Sequence, residues 1–226
     1  MNSLIEMHAH TSETSLCAKA SAKELVERYI KKGYTDIVIT DHFNKTTFNY
    51  SAYYASSWNE KVDVFMKGYN EAVLAAKGRI NIHLGMELKF DVENCENDYL
   101  IYGVTEEFLR NSANIIDMKL PTFSTLAHLN GMLIFQAHPF RYDMTITRPK
   151  YLDGIEIYNG NIRHNSNNEV AELWAKTNGL KMISGSDFHE IGDEARGGIA
   201  ADLKITCNKE LVKLLNDGNY KIIKKI

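Results

Sequence analysis

The chain has 226 residues, 44% of them hydrophobic, which suffices for one sizeable core and is short for several domains. Its net charge of −3, with acids and bases mixed along the sequence, offers no basic stripe for long nucleic acid or for a membrane surface. Three widely spaced cysteines, Cys17, Cys95 and Cys207, argue against a disulfide framework, and the sequence has neither signal-peptide character nor an apolar run of about 18 residues. The expectation is a soluble cytoplasmic protein with one domain over 1–226 and no membrane partner.

Short apolar runs rich in branched and aromatic residues alternate with helical stretches, the pattern of β/α units around a parallel sheet. Strands are expected at residues 4–7, 37–40, 80–84, 99–102, 132–136, 154–157 and 181–184, with two more at 198–204 and 221–223. The first helix should open at Ser21. Ser21 and Glu24 have capping-box spacing, Leu25, Val26, Tyr29 and Ile30 share a face, and Gly33 can close the helix. Longer helices fit 58–76 and 166–177, the latter ending before Gly179, and a short one fits 211–215. No Gly/Ser-rich linker or internal repeat divides the chain, and the strand number favours a closed or distorted barrel over an open sheet.

In such barrels chemistry gathers at the C-terminal ends of the strands. Those ends give, in order, His8 and His10, Asp41 and His42, Glu87, His138, Asn159, then Asp187 and His189. Period-two spacing puts His8 and His10 on one side of a strand, where two imidazole nitrogens can meet one ion at about 2.0–2.1 Å. Five of the eight histidines fall in the strand-end motifs HAH, TDH, AHP and SDFH, in the company of Glu87 and Asp187. Buried together without cations, these groups would carry large desolvation costs. His83, His128 and His164 read as packing or surface residues. The aromatic segment after His42, with Phe48, Tyr50, Tyr53, Tyr54 and Trp58, fits either a lid or packing over the rim, and packing is favoured.

The motifs MHAHTSE, VITDHF, GMELKF, AHPFR, IEIYNG and SGSDFH span almost the whole chain, and in this order they resemble the PHP superfamily, the polymerase and histidinol phosphatase domains. The resemblance implies a distorted (β/α)7 TIM-like barrel holding two or three divalent ions, zinc, manganese or iron, and hydrolysing phosphate esters. It also implies that His8, His10, Glu87 and Asp187 surround one ion, that Glu87 bridges to a second ion shared with His138, and that a third takes His42 and His189. Imidazoles mixed with carboxylates suit all three metals.

The chain departs from the family pattern at two places. Many members carry a histidine or aspartate five or six residues after the HxH pair, where this chain has Ser15 and Leu16. Glu13 or Cys17 could substitute, and the hard carboxylate of Glu13 is favoured as the metal ligand. In NDYLIYG several members have a histidine where this chain has Tyr99, so either Asp98 takes over or the second ion has a sparser protein shell.

Phosphate also needs donors outside the metal shell, and the planar fork of arginine suits it. Arg141 after AHPF and Arg196 in EARGGI lead, with Arg163 third. Asp187 and His189 could steer protons as well as hold metal, and Asn159 could orient a ligand or bind substrate. The expected reaction is hydrolysis of a small phosphorylated metabolite or nucleotide by a metal-activated water. The alternatives are a phosphodiesterase or nuclease on short nucleotides, and a non-catalytic metal-binding module. The oligomeric state is open.

Overall fold

A computed structural model describes residues 3–50, 54–93 and 95–225. The first strand, β1 (Ser3–Ala9), alternates as SLIEMHA, with Ile5 and Met7 entering an apolar cluster while Glu6 and His8 take the intervening positions. Helix α1 (Ala22–Lys31) opens with the expected capping box: Ser21 Oγ accepts from Glu24 N–H, and the Glu24 carboxylate accepts from Ser21 N–H. The chain leaves α1 through Gly33 at a φ of +78°, which glycine adopts without a Cβ penalty. After it come β2 (Asp36–Ile39), the two-residue β3 (His42–Phe43), a short α2 (Lys45–Asn49) and the long α3 (Trp58–Ala76). Leu25, Val26 and Tyr29 of α1 share a buried cluster with Ala72 and Ala76 of α3.

The chain continues through β4 (Asn81–Lys89), β5 (Asp98–Tyr102), α4 (Glu106–Asn111), α5 (Leu120–Leu129), β6 (Leu133–Gln136) and β7 (Gly154–Asn159). It finishes with α6 (Asn168–Asn178), β8 (Lys181–Gly185), β9 (Gly197–Ala201), α7 (Asn208–Asp217) and β10 (Lys221–Lys224). Most expected elements recur with shifted ends; β4 runs on to Lys89 and so contains Glu87, whereas β9 stops at Ala201.

The strands form one sheet in the order β10-β9-β1-β2-β4-β5-β6-β7-β8, with β3 beside β4. Beyond β8 the chain returns to β1. His10 N–H donates to the Phe188 carbonyl (2.9 Å), Phe188 N–H donates to the His8 carbonyl (3.2 Å), and Ala9 bridges Phe188 in parallel. The result is an α/β fold with a nearly closed, barrel-shaped sheet, as the TIM-like expectation required. Gly185 permits this closure: a Cβ there would lie 2.3 Å from the Cβ of His8.

The expectation of a parallel sheet needs correction. β5 runs antiparallel to β4 and β6, and β9 runs antiparallel to β1 and β10. Only eight residues separate the end of β4 from the start of β5, and a parallel crossover needs a dozen or more. This reversal has a functional consequence, because it sets the first residue of β5, Asp98, opposite Lys89 at the ligand-bearing end of β4.

The aromatic segment packs. Phe48 lies fully buried with its ring centroid 4.8 Å from that of Phe43, and Trp58 sits 5.7 Å from Phe43 while its Nε1–H donates to the Leu109 carbonyl (2.6 Å). Tyr50 and Tyr54 are exposed, and Tyr53 lies outside the described residues. No described helix is long and apolar enough to cross a membrane.

Candidate metal centre

Seven of the residues expected at strand ends converge on one rim of the barrel. Nε2 of His8 and Nε2 of His10 stand 3.0 Å apart. Glu87 Oε1 lies 3.3 Å from His8 Nε2 and 3.2 Å from His138 Nε2, while its Oε2 lies 3.3 Å from His10 Nε2 and 3.0 Å from His42 Nδ1. Asp187 Oδ1 is 3.4 Å from the Nε2 atoms of both His8 and His10, and also from His189 Nδ1. Each Glu87 oxygen thus meets one imidazole of the His8 and His10 pair and one further imidazole, His138 for Oε1 and His42 for Oε2.

Among the described residues, three groups offer ligand atoms all within 4.8 Å of one another: His8, His10 and Asp187; Glu87, Asp98 and His138; and His10, His42 and His189. His8, His10, Glu87, Asp98, His138 and Asp187 are all buried, apart from a partly covered Asp98 residue surface. The backbone is held out of its ordinary range at two of them, with φ of +28° at His138 and +51° at Asp187. Such residues cost of order 1–3 kcal/mol each and persist where the surroundings over-determine them.

Hydrogen-bond partners fix which ring nitrogens face the centre. The Glu156 carboxylate accepts from His8 Nδ1–H (3.0 Å), so the His8 Nε2 lone pair points inward. Ser15 has one hydroxyl proton, which it donates to Asp41 Oδ1 (2.6 Å); it therefore accepts from His10 Nδ1–H (3.2 Å) and from His42 N–H (3.0 Å). His10 in turn aims a bare Nε2 at His8. Two nitrogen lone pairs 3.0 Å apart repel unless a proton or a metal cation lies between them. The Nδ1 of His138 is buried without any hydrogen bond. A donor set of imidazole and carboxylate, with facing lone pairs and an orphaned nitrogen, fits divalent metal ions.

The electrostatics run the same way. Burial opposes charge on His8, but Glu156, Asp187 and Glu87 outweigh it and hold its pKa well above the usual imidazole range. At His10 burial, joined by His189 and His42, holds the pKa well below that range. Burial would raise Glu87, yet His8 and His42 hold it well below the ordinary carboxylate value. Asp187 behaves alike, with His8 and His189 overcoming burial. Asp98 shifts upward, through burial and then the charge of Glu87. Beside the third group, burial would raise the Cys17 thiol, but hydrogen bonds with His189 and His42 bring it from 9.0 down to about 6. The pocket keeps its carboxylates ionised and favours positive charge at its centre.

Two expected residues lie elsewhere. Both carboxylate oxygens of Glu13 accept from Ala22 N–H (3.1 and 2.9 Å), so Glu13 serves the open N-terminus of α1 and takes no part in the cluster. Arg196 sends Nε to the Gly192 carbonyl (3.2 Å) and is not among the residues lining the cleft. Arg141 does line it; its Nη2 donates to Asp187 Oδ2 (2.8 Å) and Asn159 Oδ1 (3.0 Å). Arg163 lines it too, held by Asp193 (2.8 and 2.7 Å) and Glu190 (3.0 Å). The cleft encloses about 270 Å³, and His164 and Asn161 also face it. His83 pairs with Asp36 (2.9 Å) and His128 with Asp153 (3.0 Å), each apart from the cluster.

Three buried acids support the clustered residues: Asp41, which the sequence placed at a strand end without a role, and Glu156 and Glu6, which sequence reasoning passed over. Besides His8, Glu156 accepts from His138 N–H (3.0 Å) and Asn159 Nδ2 (2.9 Å), tying three strand ends together. Glu6 accepts from His8 N–H (2.9 Å), Ser186 N–H (2.8 Å), Ser186 Oγ–H (2.5 Å) and Tyr29 O–H (2.6 Å). Asp41 accepts from Thr11 N–H (2.7 Å), Thr11 Oγ1–H (2.7 Å) and Ser15. A usable signal existed for two of them: Glu6 and Glu156 sit inside apolar strands, where a carboxylate needs partners.

A nearly closed α/β barrel with imidazoles and carboxylates gathered at one rim defines a class of barrels built to hold divalent cations. The sequence signature of the PHP domain matches residues 6–187, and the chain belongs to that family. It is 30% identical over 115 residues to a DNA polymerase III of the PolC type from Clostridium perfringens, a match covering 50% of this chain and 7% of that much longer protein. Among solved structures it resembles PsfC from Pseudomonas syringae, with a TM-score of 0.69 at 15% identity over 100% of this chain and 93% of that one. A Bifidobacterium adolescentis protein provisionally assigned as a metal-dependent phosphoesterase gives 0.56 at 14% identity, covering 94% of this chain and 95% of that one. An amidohydrolase from Chromobacterium violaceum, holding sulfate and no metal, gives 0.59 at 18% identity, covering 99% and 98%. These likenesses bear on the fold.

Proposed function

We propose that the protein is a metal-dependent hydrolase of phosphate esters, acting as a phosphomonoesterase on a small phosphorylated metabolite or nucleotide. The observation that carries this reading is the central place of Glu87, whose carboxylate meets the His8 and His10 pair and also reaches His138 on one side and His42 on the other, which suits one carboxylate shared by adjacent ions. His8, His10, Glu87 and Asp187 would hold the first ion, Glu87, Asp98 and His138 the second, and His42 with His189 a third. When bound, such ions lower the pKa of a coordinated water towards neutrality and neutralise charge on phosphoryl oxygens.

The chain's own residues then bind and orient. Arg141, anchored on Asp187 and Asn159, presents its guanidinium to the cleft beside the carboxylate cluster, where a phosphoryl group can accept from it. Arg163 brings a second guanidinium to the same wall. Glu156 and Ser15 keep His8 and His10 in the tautomers that face inward. A cleft of about 270 Å³ suits a small ester, and a net charge of −3 disfavours long nucleic acid.

Purified protein with added manganese or zinc is assayed against panels of monoesters, diesters and amides. Metal-dependent phosphate release from a monoester, abolished by chelation and by Asp187→Ala, is expected. Faster turnover of bis(p-nitrophenyl) phosphate than of any monoester would move the assignment to a phosphodiesterase. Turnover of amides alone would keep a hydrolase and overturn the ester reading, and no metal-dependent turnover would overturn both.

A further inference from the structure

Cys17 stands where no residue of the expected ligand set was placed. Its Sγ lies 3.1 Å from His189 Nε2, in the cleft that His42 also lines. His189 donates Nδ1–H to the Asp187 carbonyl (2.9 Å), so its Nε2 carries the lone pair that faces the sulfur. Independently of the thiol, His42 and His189 already belong with His10 to one group of converging ligand atoms. The sulfur lines the same cleft as these imidazoles. Glu13, the oxygen donor that could have served here, is committed to the amide of Ala22.

We infer that Cys17, His42 and His189 form a mixed sulfur and nitrogen site that selects zinc over manganese at the third position, leaving the other two groups as nitrogen and oxygen sites. The inference rests on the metal-centre reading above and adds a ligand and a metal preference to it. Thiolate is a soft donor that favours zinc, whereas manganese prefers carboxylate, carbonyl and water. Sulfur and nitrogen ligands of a tetrahedral zinc stand about 3.5 Å apart, given Zn–S of about 2.3 Å and Zn–N of about 2.0–2.1 Å. An outward shift of a few tenths of an ångström opens the 3.1 Å edge to that distance, and the exposed Cys17 side chain has room to make it. Zinc binding here converts the thiol to thiolate, and the released proton passes to solvent.

Cobalt(II), used as a coloured stand-in for zinc, tests this with the full chain. Cobalt-loaded parent protein should show a near-ultraviolet thiolate-to-cobalt charge-transfer band besides visible ligand-field bands. Cys17→Ser should lose the first and keep the second, and by elemental analysis should retain about one zinc fewer per chain. Cys17→Asp should restore the stoichiometry with manganese while lacking the charge-transfer band. Zinc, and not manganese, should slow alkylation of Cys17 in the peptide map, with exposed Cys207 as internal control. Ligand-field bands without a charge-transfer band, or unchanged zinc content in Cys17→Ser, would overturn this inference alone. No cobalt binding at all would overturn it together with the metal-centre reading.

Discussion

Gly68, in the middle of α3, provides a test in which two physical effects have opposite signs. Replacing a helical glycine by alanine ordinarily stabilises by about 1 kcal/mol, because glycine has the larger backbone entropy to lose. Here a Cβ would lie 2.0 Å from Thr11 Oγ1 and 2.1 Å from Asp41 Oδ2. Those two atoms are hydrogen-bonded to each other (2.7 Å), and Asp41 also receives Thr11 N–H (2.7 Å) and Ser15 Oγ–H (2.6 Å). Both residues are buried, so neither can swing into solvent. Overpacking costs about 1–3 kcal/mol, and disturbing hydrogen bonds to a buried carboxylate costs about 1.5–3 kcal/mol more. After the propensity gain, Gly68→Ala should be destabilised by about 1.5–5 kcal/mol. For a chain of this size that corresponds to a fall in Tm of roughly 3–20 °C. The damage should also reach the metal centre, since Ser15 carries the restraint on His10 Nδ1 and His42 N. Thermal melts of the parent and the variant, with and without zinc, measure both effects. A Gly68→Ala protein at least as stable as the parent, with equal metal content, would show that the contact relaxes without cost and would refute the argument.

Four further outcomes follow from the same geometry. Asp187→Ala should remove metal from the first group and abolish hydrolysis, as seen by elemental analysis and phosphate release; full metal content would sink the ligand assignment. Glu156→Gln replaces one carboxylate oxygen by an amide donor that cannot face both His8 Nδ1–H and its other donors, so metal affinity should drop about 10–100-fold in a competition titration. Chelation should lower Tm, and free zinc at about 100 times its Kd should restore about 2.7 kcal/mol; an unchanged melt would mean that the centre does not bind in the folded state. Glu6 gives a pH dependence. Burial, outweighing four hydrogen bonds, raises its carboxyl from 4.5 to about 7. Its contribution is fully present below the unfolded value and is lost as pH rises through 4.5 to 7, reaching about 3 kcal/mol by pH 8. The stability difference between Glu6→Gln and the parent, measured by guanidinium titration, should therefore shift towards the variant between pH 4.5 and 8; a flat difference would contradict the shift.

The sequence made the clustered imidazoles and carboxylates legible because period-two spacing and strand-end position are local properties. The pairs His8 and His10, and Asp187 and His189, could be read from their triplets, and the structure brings them within 3.4 Å of one another. Chain direction was less legible. Nothing in NDYLIY distinguishes a reversed strand from a forward one, so the place of Asp98 at the rim depended on how short the link from β4 is. The choice between Glu13 and Cys17 turned on which side of one loop faces the cleft, and of the two only Cys17 lines it while Glu13 binds Ala22 N–H. Arg163 and Arg196 were separated by the partners that hold them, Asp193 for the one and the Gly192 carbonyl for the other.

The seam between β1 and the segment after β8 joins residues near opposite ends of the chain, and those residues are also the candidate ligands. His8 and His10 come from one side of the seam, Asp187 and His189 from the other, with Phe188 pairing between them. Contacts of such sequence separation form late, because loop-closure entropy must be overcome before they contribute. On the proposed assignment, an ion held by His8, His10, Glu87 and Asp187 would tie the two sides of this seam together, so that binding the ion and closing the barrel would be one event.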